Sequence, residues 1–474
     1  MQTIKQEPAV AVGLMTGVDE ISFDLHGDFT SGEARRFGAG GWRAFVLPGS
    51  KHITLTGQLV QGQFEAEEIR LSPASPADAS FTIRGIVIGI DFHWQRKEDQ
   101  RFQGALRLKP DGQGRLAVIN DIPVESYLAS VISSEMSASA HEELLRAHSI
   151  ISRSWLLAQI RPWKVDRGQS SLKPTVRQHA DGTKELIRWY DREAHADFDV
   201  CADDHCQRYQ GVTKAVRTPE GAAGMEKVIE AIRATFGQVL TFDEAICDAR
   251  FSKSCGGMVE EYKAAWEDAD IPYLTPLYDG ENFPAEYQLP LNDEASAERW
   301  ILNSPPAFCN TSDQTILTRI LPDFDQETAD FYRWRATIRQ EELQELLRKK
   351  LGVEFGAVYK LEPVERGASG RLVRLRIVGE KEKMIIGKEL EIRRALSPSH
   401  LYSSAFVVRA EGNVSRVPEA FTLIGAGWGH GVGLCQIGAA LMAERGYGHG
   451  RILEHYYPGA QLHHLYPQPS NVVD

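Results

Sequence analysis

The chain has 474 residues, too many for one ordinary hydrophobic core, so two or three lobes are expected. Hydrophobic residues at 42% and charged residues at 25% are the balance of a soluble globular protein, and six cysteines are too few for a disulfide scaffold. A net charge of -12 without a dense basic patch argues against nucleic acid as a partner, and no window holds the ~18 apolar residues of a membrane span.

The first eight residues, Met1 to Pro8, lack the apolar stretch of a signal peptide. Either an export signal has been removed or the chain does not use the general secretory route. Residues 9 to about 118 read as β structure. Ile21, Phe23 and Leu25 alternate with Ser22 and Asp24, and Phe81 with Ile83 and Leu106 with Leu108 repeat the pattern. Asp111-Gly112-Gln113-Gly114 is a hairpin turn signal. After Pro123 the period changes. Leu128, Val131, Ile132 and Glu135 share one helical face. A second helix is predicted from Ser139 to about Gln159, opened by a capping box of Ser139 and Glu142. It is apolar nearly all round, the mark of a central, buried helix. A helix near 225–235 and strands near 239–242 and 245–251 follow. Residues 283–330 read as loop, 331–420 as mixed with a helix near 340–350 and a strand around 372–378, and the end as a Gly-rich loop with two helices. The expected class is α+β, with a β-rich N-terminal lobe over 1–117 and a mixed α/β core. That core runs as a first part over 118–282, an insertion and mixed segment over 283–420, and a second part over 421–474.

Five constellations could carry chemistry. Glu135 shares its face with three apolar side chains, so its carboxyl is expected to point inward, where desolvation disfavours the anion. A carboxyl kept protonated is what a general acid in glycoside cleavage needs. The alternative is a helix-end glutamate bonded to backbone or paired with an arginine. Arg153 lies inside the apolar helix and needs a carboxylate or a ligand anion, with Glu135 as the candidate partner. It serves either a structural ion pair or substrate orientation. His195, Cys201 and Cys206, spread over twelve residues, suit tetrahedral zinc, with water, His205 or a carboxylate as fourth ligand. A Cys201–Cys206 disulfide or two free thiols are the alternatives. The run from Gly425 to Gly433 satisfies neither the dinucleotide nor the P-loop pattern; it displays His430 on a surface poor in side chains, or packs it internally. Ser252 and Ser254 precede Cys255-Gly256-Gly257 and either line a sugar cleft or form a turn.

Taken together, the motifs resemble the SpoIID/LytB family of stage II sporulation protein D and the amidase enhancers. The carriers are Val118 to Leu128, Ser134-Glu135-Met136, Ala147 to Trp155, Gly427 to Ala439, and His455-Tyr456-Tyr457-Pro458-Gly459. The chain departs from the family pattern at Ser137, Cys255, Cys435 and Ile437. The resemblance implies a lytic transglycosylase that cuts the MurNAc–GlcNAc bond of peptidoglycan strands lacking stem peptides, leaving 1,6-anhydro-MurNAc ends. It puts the catalytic glutamate at Glu135, the helix arginine at Arg153 and the metal-binding set at His195, Cys201 and Cys206. Ser252, Ser254, His430 and Gln436 are the expected substrate-binding residues. The resemblance further implies an extracytoplasmic location, in the periplasm or cell envelope. It leaves open a non-catalytic amidase enhancer, whose partner is a cell-wall amidase. A zinc-dependent hydrolase using the Cys/His set also stays open.

Overall fold

The structure is a computed structural model. It describes residues 3–32, 35–47, 49–57, 63–88, 95–111, 113–137, 139–160, 162–163, 174–190, 195–203, 206–213, 219–321, 330–412 and 417–468. The class is α+β with a strand-rich N-terminal region. The strands up to Pro123 form two sheets, one of seven strands completed by Val200–Cys201 and one of six. The alternation in the sequence decides which side is core. Along Glu20–His26, Ile21, Phe23 and Leu25 are buried, and Phe81, Ile83, Leu106 and Leu108 are fully so. The hairpin joining Ala105–Pro110 to Leu116–Pro123 closes where predicted. Asp111 Oδ1 accepts from the amides of Gln113 (2.8 Å) and Arg115 (2.9 Å), and Gly114 takes a positive φ of 76°. Gly112 lies outside the described residues.

The strand Leu116–Pro123 runs directly into helix α1, Val124–Glu135, with Pro123 at the N-cap. Leu128, Val131 and Ile132 are fully buried, as their spacing requires. Helix α2 spans Glu142–Gln159 and is the central helix: nearly every residue from Leu144 onward is buried, and α1, the Pro219–Ala234 helix and both C-terminal helices touch it. Its N-cap differs from the sequence reading. His141 accepts from the Glu143 amide at 3.2 Å, while the Ser139 hydroxyl is engaged by Ser137 and the Arg319 carbonyl. The chain is still turning at Ser139, so the capping box does not form.

The segment 283–330 is not simply loop. Helices Glu294–Asn303 and Gln314–Ile320 lie within it, capped by Asp293 and Asp313, each accepting from a first-turn amide. Beyond it, the Leu372–Gly379 strand pairs with Val358–Arg366 and Lys383–Gly387 in a five-stranded sheet. That sheet and the Gln340–Leu351 helix have a core of their own, centred on Leu343, Leu347, Leu375 and Ile386. The predicted 245–251 strand is two short ones, Ala245–Ile246 and Phe251–Ser252. The chain closes on itself: Gln461–His464 pairs antiparallel with Gln238–Phe242, and the Ile4 amide donates to the Leu465 carbonyl.

Candidate functional site

Glu135 is the last residue of α1, half-buried, and Met136 behind it is already extended. Its Oε1 accepts the Arg208 amide at 3.1 Å. Arg208 belongs to a segment laid along α1. The Gln210 amide donates to Ser130 Oγ (3.1 Å), and the Tyr127 hydroxyl donates to Gln207 Oε1 (3.3 Å). Tyr209 stacks on Tyr127 at 5.1 Å and on Phe102 at 5.6 Å, and its hydroxyl donates to Asn120 Oδ1 at 2.5 Å. This aromatic stack pins the segment to both α1 and the N-terminal sheet. Burial, and then the neighbouring Cys206 and Cys201, push the Tyr127 phenol far above its ordinary range, so it remains a neutral donor.

The same segment carries the cysteines. Val200–Cys201 adds to the N-terminal sheet in parallel with Val12 and Gly13. A turn then brings Cys206 back, so that its Sγ accepts the Cys201 amide at 3.4 Å and lies 3.6 Å from His195 Nε2. The ligand atoms of His195, Cys201 and Cys206 lie within 4.8 Å of one another and are partly exposed. Two thiols and an imidazole at that spacing are a donor set that fits zinc. His205 lies outside the described residues. A cavity of about 300 Å³ opens beside the segment, lined by Met15, Ile88, Phe198, Cys201, Arg208 and Gln210 among others.

Arg153 is fully buried, but its partner is not Glu135. It donates to both carboxylate oxygens of Glu125 (2.9 and 2.5 Å) and to the Gln238 carbonyl (2.9 Å). The Tyr466 hydroxyl and the Gly237 amide also donate to Glu125 Oε1. Burial opposes the charge on Arg153, yet Glu125 and Tyr466 together more than offset it and raise the guanidinium above its ordinary value. The expected Glu135–Arg153 pair is thereby corrected. Glu125, on the first turn of α1, faces α2, whereas Glu135, nearly three turns on, faces the Cys segment.

The serine and glycine motifs do meet. Phe251–Ser252 pairs in parallel with Leu434–Cys435, and Ser254 exchanges both backbone hydrogen bonds with Trp428. A Cβ on Gly429 would come within 3.1 Å of Ser252 Cβ, so the loop's bareness permits this approach. Among the described residues Ser252 Oγ is buried without a hydrogen-bond partner, and Ser254 Oγ accepts from the Gly256 amide. His430 is half-buried against Trp266 (4.8 Å) with Nδ1 accepting from the Val432 amide; burial and then Arg250 hold its pKa well below the ordinary value, so the ring is neutral. Gln436 is buried and bonded to His148 Nε2 at 3.1 Å. His148 is itself fully buried on α2, bonded to Ser152 and held at a pKa of about 3 by burial and then Lys253. The sequence reading missed Glu125, Tyr209 and His148; only Tyr209, a large aromatic beside Cys206, carried a local signal.

Residues 112–242 match the family described as Stage II sporulation protein, SpoIID. The chain carries a SpoIID domain. Glu135, Arg153, His195, Cys201 and Cys206 all fall within it. The chain is 22% identical over 344 residues to Stage II sporulation protein D of Bacillus amyloliquefaciens, covering 73% of this chain and 75% of that protein. The same values hold for Stage II sporulation protein D of Bacillus subtilis (strain 168). It is 21% identical over 267 residues to the Amidase enhancer of Bacillus subtilis (strain 168), covering 53% of this chain and 34% of that protein. Residues 260–433 match a second family, described as Domain of unknown function (DUF8618). That region follows the SpoIID domain and includes His430, while Gln436 lies beyond it and Ser252 and Ser254 lie between the two matches.

Proposed function

We propose that this protein is a peptidoglycan lytic transglycosylase of the cell envelope, with Glu135 as its general acid and base. The observation that carries the reading is the half-buried Glu135 at the end of α1, with one oxygen held by an amide of the Cys/His segment. A carboxyl fixed by backbone rather than by a long side chain is pre-set for proton transfer. Glu135 protonates the glycosidic oxygen of a MurNAc–GlcNAc linkage as the C1–O bond breaks. The C6 hydroxyl of the same muramyl residue then bonds to C1 and returns its proton to Glu135. The products are a free GlcNAc 4-hydroxyl and a 1,6-anhydro-MurNAc end, without water and without a second carboxylate, unlike the two-carboxylate glycosidases. Arg153 acts at a distance, by holding α1 to α2 through Glu125. His195, Cys201 and Cys206 would hold a zinc ion, which would tie down the segment that presents the Arg208 amide. His430 is the side chain offered to the sugar, while Ser252, Ser254 and Gln436 are buried and act by shaping the loops beside it.

A second reading, a non-catalytic enhancer of a cell-wall amidase, is favoured by the similarity to the Bacillus subtilis Amidase enhancer. Incubating the purified chain alone with glycan strands stripped of stem peptides separates the two. Soluble fragments support the transglycosylase; no fragments, together with faster stem-peptide release from intact peptidoglycan by an added amidase, supports the enhancer.

A further inference from the structure

Three of the remaining cysteines converge with a buried aspartate. The ligand atoms of Cys255, Asp279, Cys309 and Cys435 lie within 4.8 Å of one another, and all four residues are buried. They come from four separate pieces of chain. Cys255 follows the Phe251–Ser252 strand, Asp279 follows Leu277–Tyr278, Cys309 lies between the two helices of the 283–330 segment, and Cys435 caps the Gln436–Glu444 helix. Cys255 Sγ is 3.6 Å from Cys309 Sγ and 3.3 Å from Asp279 Oδ2. Tetrahedral zinc, with bonds of about 2.3 Å to sulfur and 2.0 Å to oxygen, needs edges of about 3.8 Å between sulfurs and about 3.5 Å from sulfur to oxygen. The thiols and carboxylate are thus already close to the spacing that one ion would impose.

Charge points the same way. Asp279 is fully buried, and among the described residues no lysine or arginine pairs with it; His455 lies 3.9 Å away. Buried charges are paired or coordinate metals. The surroundings are those of a ligand shell. Cys435 Sγ accepts the amides of Cys255 (3.2 Å) and Gly438 (3.4 Å). Asp279 accepts the Cys309 amide (3.2 Å) and the Tyr456 hydroxyl (2.6 Å). Amides and hydroxyls so placed orient thiolates and carboxylates around an ion. Buried Arg371 and half-buried Arg333 donate to the Cys255 and Gly256 carbonyls, which offsets the negative charge of three thiolates and a carboxylate on a divalent ion.

We propose that Cys255, Asp279, Cys309 and Cys435 bind one zinc ion that staples the base of the 260–433 region to the rest of the chain. Cys255 and Cys435 stand just outside that region, on either side of it, and Asp279 and Cys309 lie inside. Four buried protein ligands, three of them soft thiolates, select zinc in a structural role. The site is distinct from His195, Cys201 and Cys206 and does not depend on the function proposed above.

Metal analysis of the full chain tests this. The C201S/C206S variant, folded by circular dichroism, is expected to retain about one zinc per chain, and adding Cys309→Ser is expected to remove it. Grown on cobalt in place of zinc, C201S/C206S is expected to show intense thiolate-to-cobalt charge-transfer bands. A folded C201S/C206S protein without metal overturns the proposal, as does a Cys255–Cys309 disulfide in a non-reducing peptide map. Should the variants not fold, crystals of the unmodified chain decide. A zinc-edge anomalous peak between the four side chains supports the staple, and no peak there overturns it.

Discussion

Two glutamates on one helix are separated here by environment. Glu125 is buried in an ion pair with Arg153 and accepts further hydrogen bonds from the Tyr466 hydroxyl and the Gly237 amide, a structural charge. Glu135 is half-buried and meets the segment that carries the Cys/His cluster. Replacing Arg153 by Met should therefore cost about 3–5 kcal/mol, because Glu125 is left charged and buried. Replacing Glu125 by Gln together with Arg153→Met should cost clearly less than the two single changes added. Urea denaturation of the three variants measures this; strict additivity would mean that the two residues do not act as a pair. The apolar setting of Arg153 in the sequence called for a carboxylate or a ligand anion and offered Glu135, whereas the structure supplies Glu125. Helical spacing fixes a face, and the choice between Glu125 and Glu135 depends on how α1 lies across α2, a tertiary matter. A control glutamate for Glu135 is exposed Glu142.

At the scale of elements, the alternation of the N-terminal strands and the faces of α1 and α2 were legible because burial there follows a local period. The cap of α2 was not, because a tertiary contact decides it. Glu143 in its first turn accepts from both the amide and the ring of His449, which joins α2 to the His449–Tyr456 helix. Burial pushes this carboxyl up, but the His449 bonds more than offset that and hold its pKa below the usual value. A depressed folded pKa means stability that is present above the unfolded value of about 4.3 and lost as pH falls through the folded one. Glu143→Gln should thus lower stability by about 1–2 kcal/mol near neutral pH, and the gap to the wild type should close in acid. Thermal melts at a series of pH values check this, and a gap that persists unchanged in acid would contradict it. The Cys segment is the second element-scale device. If zinc at His195, Cys201 and Cys206 orders it, C201S/C206S should lose about one zinc equivalent and slow glycan cleavage with the global melt little changed. Unaltered cleavage by the metal-depleted variant would detach the metal from the site.

Across the whole molecule, motifs far apart in sequence assemble: the 251–254 segment lies beside the 428–435 loop, and the 455–459 ending packs beneath them. The four-residue cluster at the base of the 260–433 region was not legible, since its members are spread over 180 residues with no local spacing to read. Two of them, Cys255 and Cys435, stood out only as departures from the family pattern, and the fold brings those departures together. The central claim is that Glu135 drives an intramolecular cleavage of glycan. It is tested most directly by mass analysis of the products released from denuded strands by the wild type and by Glu135→Gln. The wild type should release fragments ending in 1,6-anhydro-MurNAc, and folded E135Q should do so slower by on the order of 10²–10⁴. Anhydro ends released by E135Q at near the wild-type rate, or no such ends from the wild type, would contradict it.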